Sequence, residues 1–104
     1  MSWFILIVAG LFEICWAIGL KYSNGFTKFW PSVFTVTSMI ISMVLLSLAV
    51  KNIPLGTAYA VWTGIGAVGT AILGLFLFSE SSELIRLLFI FIIVAGIAGL
   101  KIYS

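Results

Sequence analysis

Residues 10–20 read GLFEICWAIGL, and this stretch decides how the chain must fold. Glu13 is its only charged residue, and no other charged side chain occurs from Trp3 to Leu20. An α-helix needs an apolar run of about 20 residues to cross the hydrocarbon of a bilayer. The same run places a carboxylic acid near its middle, which costs roughly 3 kcal/mol or more in lipid. The stretch therefore predicts a membrane-spanning helix with a functional acid.

The composition of the whole chain is typical of a membrane protein. Of its 104 residues, 63% are hydrophobic and 8% are charged, and the mean hydropathy is +1.34. A soluble domain carries about 25% charged residues. The five Lys and Arg residues are scattered, so we expect no nucleic-acid surface. With no histidine, one cysteine and no nucleophile–base pair, the sequence predicts neither an enzyme nor a metal or cofactor site.

Charged and proline residues divide the chain into four apolar segments. We predict four transmembrane helices, at about 3–20, 30–50, 55–78 and 84–103, that form a single all-α domain. The alternating polarity of membrane strands is absent from the sequence. The predicted helices use almost the entire chain, so the function must reside inside the membrane.

The charged residues at the two ends of the predicted helices hardly favour one orientation. Lys51 and Lys101 fall on one side of the membrane, and Lys21, Lys28 and Arg86 fall on the other. This difference is a weak signal under the positive-inside rule, so the chain can insert both ways. We therefore expect a homodimer of oppositely oriented copies, related like the inverted repeats of larger transporters.

Glu13 shares its predicted helix face with an aromatic side chain and with small residues. Helical spacing puts Ala9 and Gly10 one turn before it, and Trp16 and Ala17 one turn after it. A carboxylate beside aromatic rings in a dry place suits a cation. Such a group holds either a proton or a cation, seldom both, and that exclusion is the physical basis of antiport.

The second and third segments offer side chains that can complete this site. Tyr59 and Trp62 lie on one stripe of the third segment, and their polar atoms need hydrogen-bond partners in a membrane. Ser42 lies near the middle of the second segment, so we predict that it pairs with Glu13. Simpler interpretations stay open: Glu13 could pin helices as a protonated acid, Ser42 could bond to its own helix, and the aromatic residues could only pack.

Small residues indicate how the helices meet. GIGAVG at 64–69 formally matches a nucleotide-binding glycine motif, but it lacks the strand and the soluble βαβ unit that the motif requires. In a membrane helix, Gly64 and Gly66 favour a bend or close packing instead. Ala95 and Gly99 form a small-xxx-small pair in the fourth segment. We predict a dimer held by the fourth helix, with the site in the first three.

Two longer motifs resemble the small multidrug resistance family of bacterial inner-membrane exporters. The motif E-x-x-W-A-x-G-L-K-Y-S-N-G-F spans 13–26 and GTAYAVWTGIGAVG spans 56–69, and both are similar to the guanidinium-exporter subtype. The resemblance covers essentially the whole chain. It implies an antiparallel homodimer in the inner membrane that exchanges protons for guanidinium ion by alternating access.

The resemblance also implies roles for individual residues. Glu13 binds protons and substrate in turn, and Trp16 and Ser42 hold Glu13 by hydrogen bonds. Tyr59 and Trp62 correspond to residues that line the substrate pocket. Gly64 and Gly66 match the bend of the third helix. Two alternatives remain open. The same acid and aromatic rings suit a broad exporter of quaternary ammonium and aromatic cations, and the chain could instead be a structural or partner subunit.

Overall fold

The structure, a computed structural model, describes residues 1–80 and 83–103. These residues form four helices: α1 (Ser2–Tyr22), α2 (Phe29–Ala49), α3 (Leu55–Leu77) and α4 (Leu84–Ile102). The helices are 19 to 23 residues long with mean hydropathy of 1.8 to 2.4, so each can cross a membrane. The predicted all-helical fold with four candidate spans is confirmed. The turn predicted at 79–83 includes Ser81 and Ser82, which lie outside the described residues.

The residues between the helices explain where the helices end. The backbone N–H of Ser23 closes α1 by donating to the Gly19 carbonyl. Residues 24–26 then have positive φ values between 49° and 73°, which turns the chain sharply toward α2. Pro31 lies in the first turn of α2, where the missing N–H has no helical partner to lose. Pro54 directly precedes α3 in an extended conformation, so the second connection is short.

The four helices form a flat layer rather than a closed bundle. The extents are 41 × 35 × 17 Å, and the smallest is less than two helix diameters of about 10–12 Å each. α1 lies between α2 and α3 and packs against both of them. The backbone of α4 makes close contact with α3 alone. The described part of one chain therefore does not surround a path across the membrane by itself.

The core lies where α1, α2 and α3 meet. Its buried apolar members are Leu6, Ala9, Ala49, Ile53, Ala58, Val61 and Trp62. Three residues of α2 that face this junction are buried although they are polar: Thr35, Ser38 and Ser42. α4 has no buried residue at all. The interior of the chain is therefore partly polar, whereas α4 presents an apolar surface to its surroundings.

Glycines bring neighbouring helices into close contact. A Cβ atom built at Gly10 of α1 would lie 2.7 Å from a methyl carbon of Ile65 in α3. A Cβ atom at Gly64 of α3 would lie 2.8 Å from the tip of Ile97 in α4. Membrane helices associate largely through such close packing, because lipid supplies no hydrophobic drive between them. These two contacts hold α3 close to α1 and to α4.

Candidate functional site

Three helices are joined by a buried pair of hydrogen bonds. Ser42 Oγ donates to the Ala9 carbonyl over 2.7 Å, and Trp62 Nε1 donates to Ser42 Oγ over 2.8 Å. Both Ser42 and Trp62 are buried. The hydroxyl uses its donor toward α1 and accepts from α3, so it links the helices instead of bonding back to α2. We call Ala9, Ser42 and Trp62 the lower layer of the site.

Glu13 lies one helical turn beyond this lower layer and packs directly against Gly66. A Cβ atom built at Gly66 would overlap the carboxylate, with Glu13 Cγ only 2.8 Å away. Only glycine therefore leaves room for the acid between α1 and α3 as they are packed here. Glu13 Oε2 is buried and has no hydrogen-bond partner among the described residues. We call Glu13 and Gly66 the middle layer.

The hydrogen bonds predicted from Ser42 and Trp16 to Glu13 do not form within the described single chain. Both hydrogen bonds of Ser42 go to other groups, the Ala9 carbonyl and Trp62 Nε1. Trp16 Nε1 is buried without a partner among residues 1–80 and 83–103. Contacts of Ser42 and Trp16 with Glu13 in the assembled protein remain a prediction.

The two predicted pocket aromatics are in contact and lead outward. The ring centroids of Tyr59 and Trp62 lie 5.6 Å apart with the rings tilted by 49°. Trp62 belongs to the buried lower layer, whereas Tyr59 is 56% exposed. The pair therefore extends from the buried hydrogen bonds to the outer face of the chain. Aromatic faces attract cations, so this route suits a positively charged ligand.

The predicted small residues have different surroundings. α3 is one continuous helix over Leu55–Leu77, in which Gly64 meets Ile97 and Gly66 meets Glu13. The bend at these glycines stays a prediction, and the structure gives them close contacts as well. Ala95 is exposed, and a Cβ atom at Gly99 would meet nothing within 4 Å. That face of α4 has no neighbour in the described chain, and its dimer role stays a prediction.

Glu13 is the only charged residue in the central part of α1, α2 and α3. α2 and α3 carry no charged residue, and the next charge on α1 is Lys21, two turns away, or about 12 Å along the helix axis. The described residues contain no group of three or more potential metal ligands. A solitary carboxylate in lipid must be protonated or paired with a cation. The arrangement can therefore exchange one kind of occupant for the other.

Sequence reasoning missed two participants. The Ala9 carbonyl accepts from Ser42, and no sequence signal identifies it because every helical residue has a carbonyl. Thr70 Oγ1 is buried and has no partner among the described residues. Thr70 lies one turn beyond Gly66, so helical spacing from Trp62 through Gly66 could have found it.

Comparison with known proteins assigns the chain to a family. The chain matches the family described as "Small Multidrug Resistance protein" over residues 1–93. The chain belongs to the small multidrug resistance family. It is 61% identical over 104 residues to a guanidinium exporter of Proteus vulgaris, covering 100% of both chains. It is 60% identical over 102 residues to guanidinium exporters of Salmonella typhimurium and Escherichia coli K12, covering 98% of this chain and 97% of theirs.

Family membership decides two of the predictions made from the sequence. The chain is a multi-pass membrane protein, and it is a transporter rather than an enzyme. The resemblance carried by the motifs at 13–26 and 56–69 is confirmed, since the matched region contains both.

Proposed function

We propose that this chain is a proton-coupled exporter of guanidinium ion and small related cations. The observation that carries the proposal is the Glu13 carboxylate, which packs on Gly66 and whose buried Oε2 atom has no hydrogen-bond partner among the described residues. Relatives about 60% identical over their full length are guanidinium exporters, which supports this substrate.

The chemistry of guanidinium fits the residues around Glu13. The ion is flat and permanently charged, and its paired N–H groups meet the two oxygens of a carboxylate side-on. Tyr59 and Trp62 provide aromatic faces next to the site. The fixed Ser42–Trp62 hydrogen bond holds the Trp62 ring in place. A small planar cation is therefore a better match than a bulky one that needs these rings to move.

Coupling follows from competition for one group. A proton that binds Glu13 removes the negative charge that holds the cation, and a bound cation favours loss of the proton. Substrate binding therefore strengthens as pH rises and weakens as pH falls. Over the range in which the carboxyl is mainly protonated, the apparent Kd changes by about tenfold per pH unit for each proton displaced.

The transporting unit in this proposal is an antiparallel homodimer. The single chain forms a flat layer in which α4 has no buried residue. Two basic residues lie on one side of the predicted membrane and three on the other, and this small difference permits both orientations. Two oppositely oriented copies would place two Glu13 residues and two exposed Tyr59 rings around one central space. The alternating access of such a dimer needs no further subunit.

The proposal is tested by replacing Glu13→Gln and measuring guanidinium-driven currents in proteoliposomes with a proton gradient. We expect the currents to fall to the protein-free level, because the amide has nearly the same shape but no charge. Glu80→Gln is the matched control, since Glu80 is an exposed residue outside the spans. Coupled transport by Glu13→Gln at the parent rate would refute the proposal.

A panel of larger cations separates the two transport hypotheses. Guanidinium should produce proton-coupled currents in the parent protein, and bulky quaternary ammonium or aromatic cations should produce much smaller ones. Binding of a bulky aromatic cation as tightly as guanidinium would instead favour the broad exporter, whose best support is the contact between Tyr59 and Trp62.

A further inference from the structure

Three buried polar atoms of this chain have no hydrogen-bond partner among the described residues. They are Glu13 Oε2, Trp16 Nε1 and Thr70 Oγ1. Trp16 lies one turn beyond Glu13 on α1, and Thr70 lies one turn beyond Gly66 on α3. α1 and α3 run parallel in this region, because Gly10 meets Ile65 and Gly69 meets Ile14. Trp16 and Thr70 therefore lie one helical turn beyond Glu13 and Gly66 on the two parallel helices, and we call them the third layer.

The behaviour of Thr70 is unusual for a threonine inside a helix. Such a hydroxyl commonly donates to the carbonyl one turn earlier on its own helix. Thr35 of α2 does this, with Oγ1 donating to the Pro31 carbonyl over 2.8 Å. Thr70 makes no such bond, although its Oγ1 atom is buried. Its hydroxyl is therefore left available to a ligand.

The donors and acceptors of this third layer select the kind of ligand. Trp16 Nε1 can only donate, an ionised Glu13 can only accept, and the Thr70 hydroxyl can do both. Guanidinium has donors only, so it cannot accept from Trp16. Water can accept from Trp16 while it donates to Glu13 and Thr70. A buried water typically has about three polar partners, which is the number present here.

We propose that one water molecule binds between Trp16, Glu13 and Thr70, so that Trp16 holds Glu13 through this water rather than directly, and that Thr70 is thereby a positioning residue for the carboxylate. This inference rests on the proposed function, because the water orients the group that exchanges protons for guanidinium. A water also suits both states of the acid. It donates to an ionised Glu13 and, by rotating, accepts from a protonated one. A fixed side-chain donor could not accept the O–H of the protonated acid.

The test uses infrared difference spectra of the full-length protein in lipid, with and without guanidinium, in ordinary water and in H₂¹⁸O. A water that responds to the occupant of Glu13 gives a band that shifts with the heavy oxygen. We expect this band in the parent and in Thr70→Ser, which keeps the hydroxyl, and expect it to disappear in Thr70→Val, which has nearly the same shape. Thr37→Val serves as the control, because Thr37 is exposed on α2.

Guanidinium binding gives a second readout. Loss of one hydrogen bond in the set should raise the guanidinium Kd of Thr70→Val by about two- to tenfold, with Thr70→Ser close to the parent. Trp16→Phe removes another partner of the same water. In a Trp16→Phe variant, Thr70→Val should therefore raise the guanidinium Kd by a much smaller factor than it does in the parent. Circular dichroism of each variant confirms that it is folded.

Two results would overturn the inference. One is an ¹⁸O-sensitive band that persists in Thr70→Val. The other is the absence of that band from the parent, in which case a weakened Thr70→Val would indicate direct contact between Thr70 and the cation. Both leave the proposed function standing as long as Glu13→Gln abolishes coupled transport. Failure of the parent protein to exchange protons for guanidinium would refute the function itself.

Discussion

The first three helices and α4 are all strongly hydrophobic, but they differ in what they bury. α1, α2 and α3 bury polar and small residues against one another, including Ser42, Thr35 and Gly66. α4 is the most apolar of the four, with mean hydropathy 2.4, and buries none of its residues. Hydropathy alone therefore predicts that all four helices cross the membrane, but it does not distinguish the helices that hold the site from the one that faces outward.

The difference indicates that α4 has a different role from the first three helices. In lipid, an apolar surface has little reason to be buried, so helices stay together through close packing and interhelical hydrogen bonds. The first three helices have both within one chain. α4 packs closely at Gly64 and has an open small-residue face at Ala95 and Gly99. We infer that the chemistry belongs to α1–α3 and that association with a second copy belongs to α4.

The largest effect is expected from filling the open face of α4. The double substitution Ala95→Leu and Gly99→Leu adds bulk where we expect the second copy to approach. Overpacking costs about 1–3 kcal/mol at each site, so the dimer should weaken by roughly 100-fold or more. Transport should be lost, while the helicity and the packing of α1–α3 remain. Förster transfer between labelled copies in lipid measures the dimer directly.

Val94→Leu is the control for this face, since Val94 is exposed on α4 but points away from the stripe of Ala95 and Gly99. The control should dimerise and transport like the parent. A double variant that retained its dimer would show that α4 does not hold the copies together, and the proposed role of α4 would be wrong.

The second expected effect concerns the contact that makes the middle layer possible. Gly66→Ala places a methyl group where the Glu13 carboxylate lies. We expect a destabilisation of about 1–3 kcal/mol and at least a tenfold loss of transport, because the carboxylate must move. Unfolding in mixed detergent and proteoliposome currents measure the two effects.

The sign of the change in stability is decisive here. Alanine inside a helix is normally more stable than glycine by about 0.5–1 kcal/mol. Gly56→Ala shows this baseline on the same helix, because a Cβ atom at Gly56 would meet nothing within 4 Å. Equal stabilisation by Gly66→Ala and Gly56→Ala would mean that the acid does not rest on Gly66.

The third effect is the loss of the lower layer. Ser42→Ala removes the donor to the Ala9 carbonyl and the acceptor of Trp62 Nε1. Interhelical hydrogen bonds in membranes average about 0.6 kcal/mol each, so we expect about 1–2 kcal/mol of destabilisation and a partial loss of guanidinium binding. Trp62→Phe breaks only one of the two bonds, so its hydrogen-bond contribution to the loss should be smaller.

Ser47→Ala provides the matched control, because the Ser47 hydroxyl is exposed and donates to the Val44 carbonyl of its own helix. It should leave stability and binding close to those of the parent. A cost for Ser47→Ala as large as that for Ser42→Ala would mean that the buried link between helices has no special importance. Thermal unfolding in detergent measures the stability of each variant, and isothermal titration calorimetry measures its affinity for guanidinium.

The sequence predicts the helices well because length and apolar composition alone determine them. It also predicts Glu13, since one acid in a long apolar run needs no knowledge of its neighbours. The partners are harder to predict, because they depend on the rotation and offset of packed helices. Ser42 is predicted to pair with Glu13, and within one chain its hydroxyl bonds to the Ala9 carbonyl and to Trp62 Nε1. The rotation and offset of a helix that is apolar on all sides cannot be read from its sequence.

The smallest effect is expected at the connection between α3 and α4. Glu80 Oε1 and Arg86 Nη2 form an ion pair of 2.8 Å with both side chains partly exposed, and exposed pairs contribute about 1 kcal/mol or less. Glu80→Gln keeps the side chain on Gly74, so it removes only the charge. We expect a loss of less than about 1 kcal/mol that disappears in concentrated salt, with transport unchanged. A loss of transport similar to that of Glu13→Gln would show that α4 takes part in the chemistry, because the ion pair joins the end of the site-bearing helices to α4.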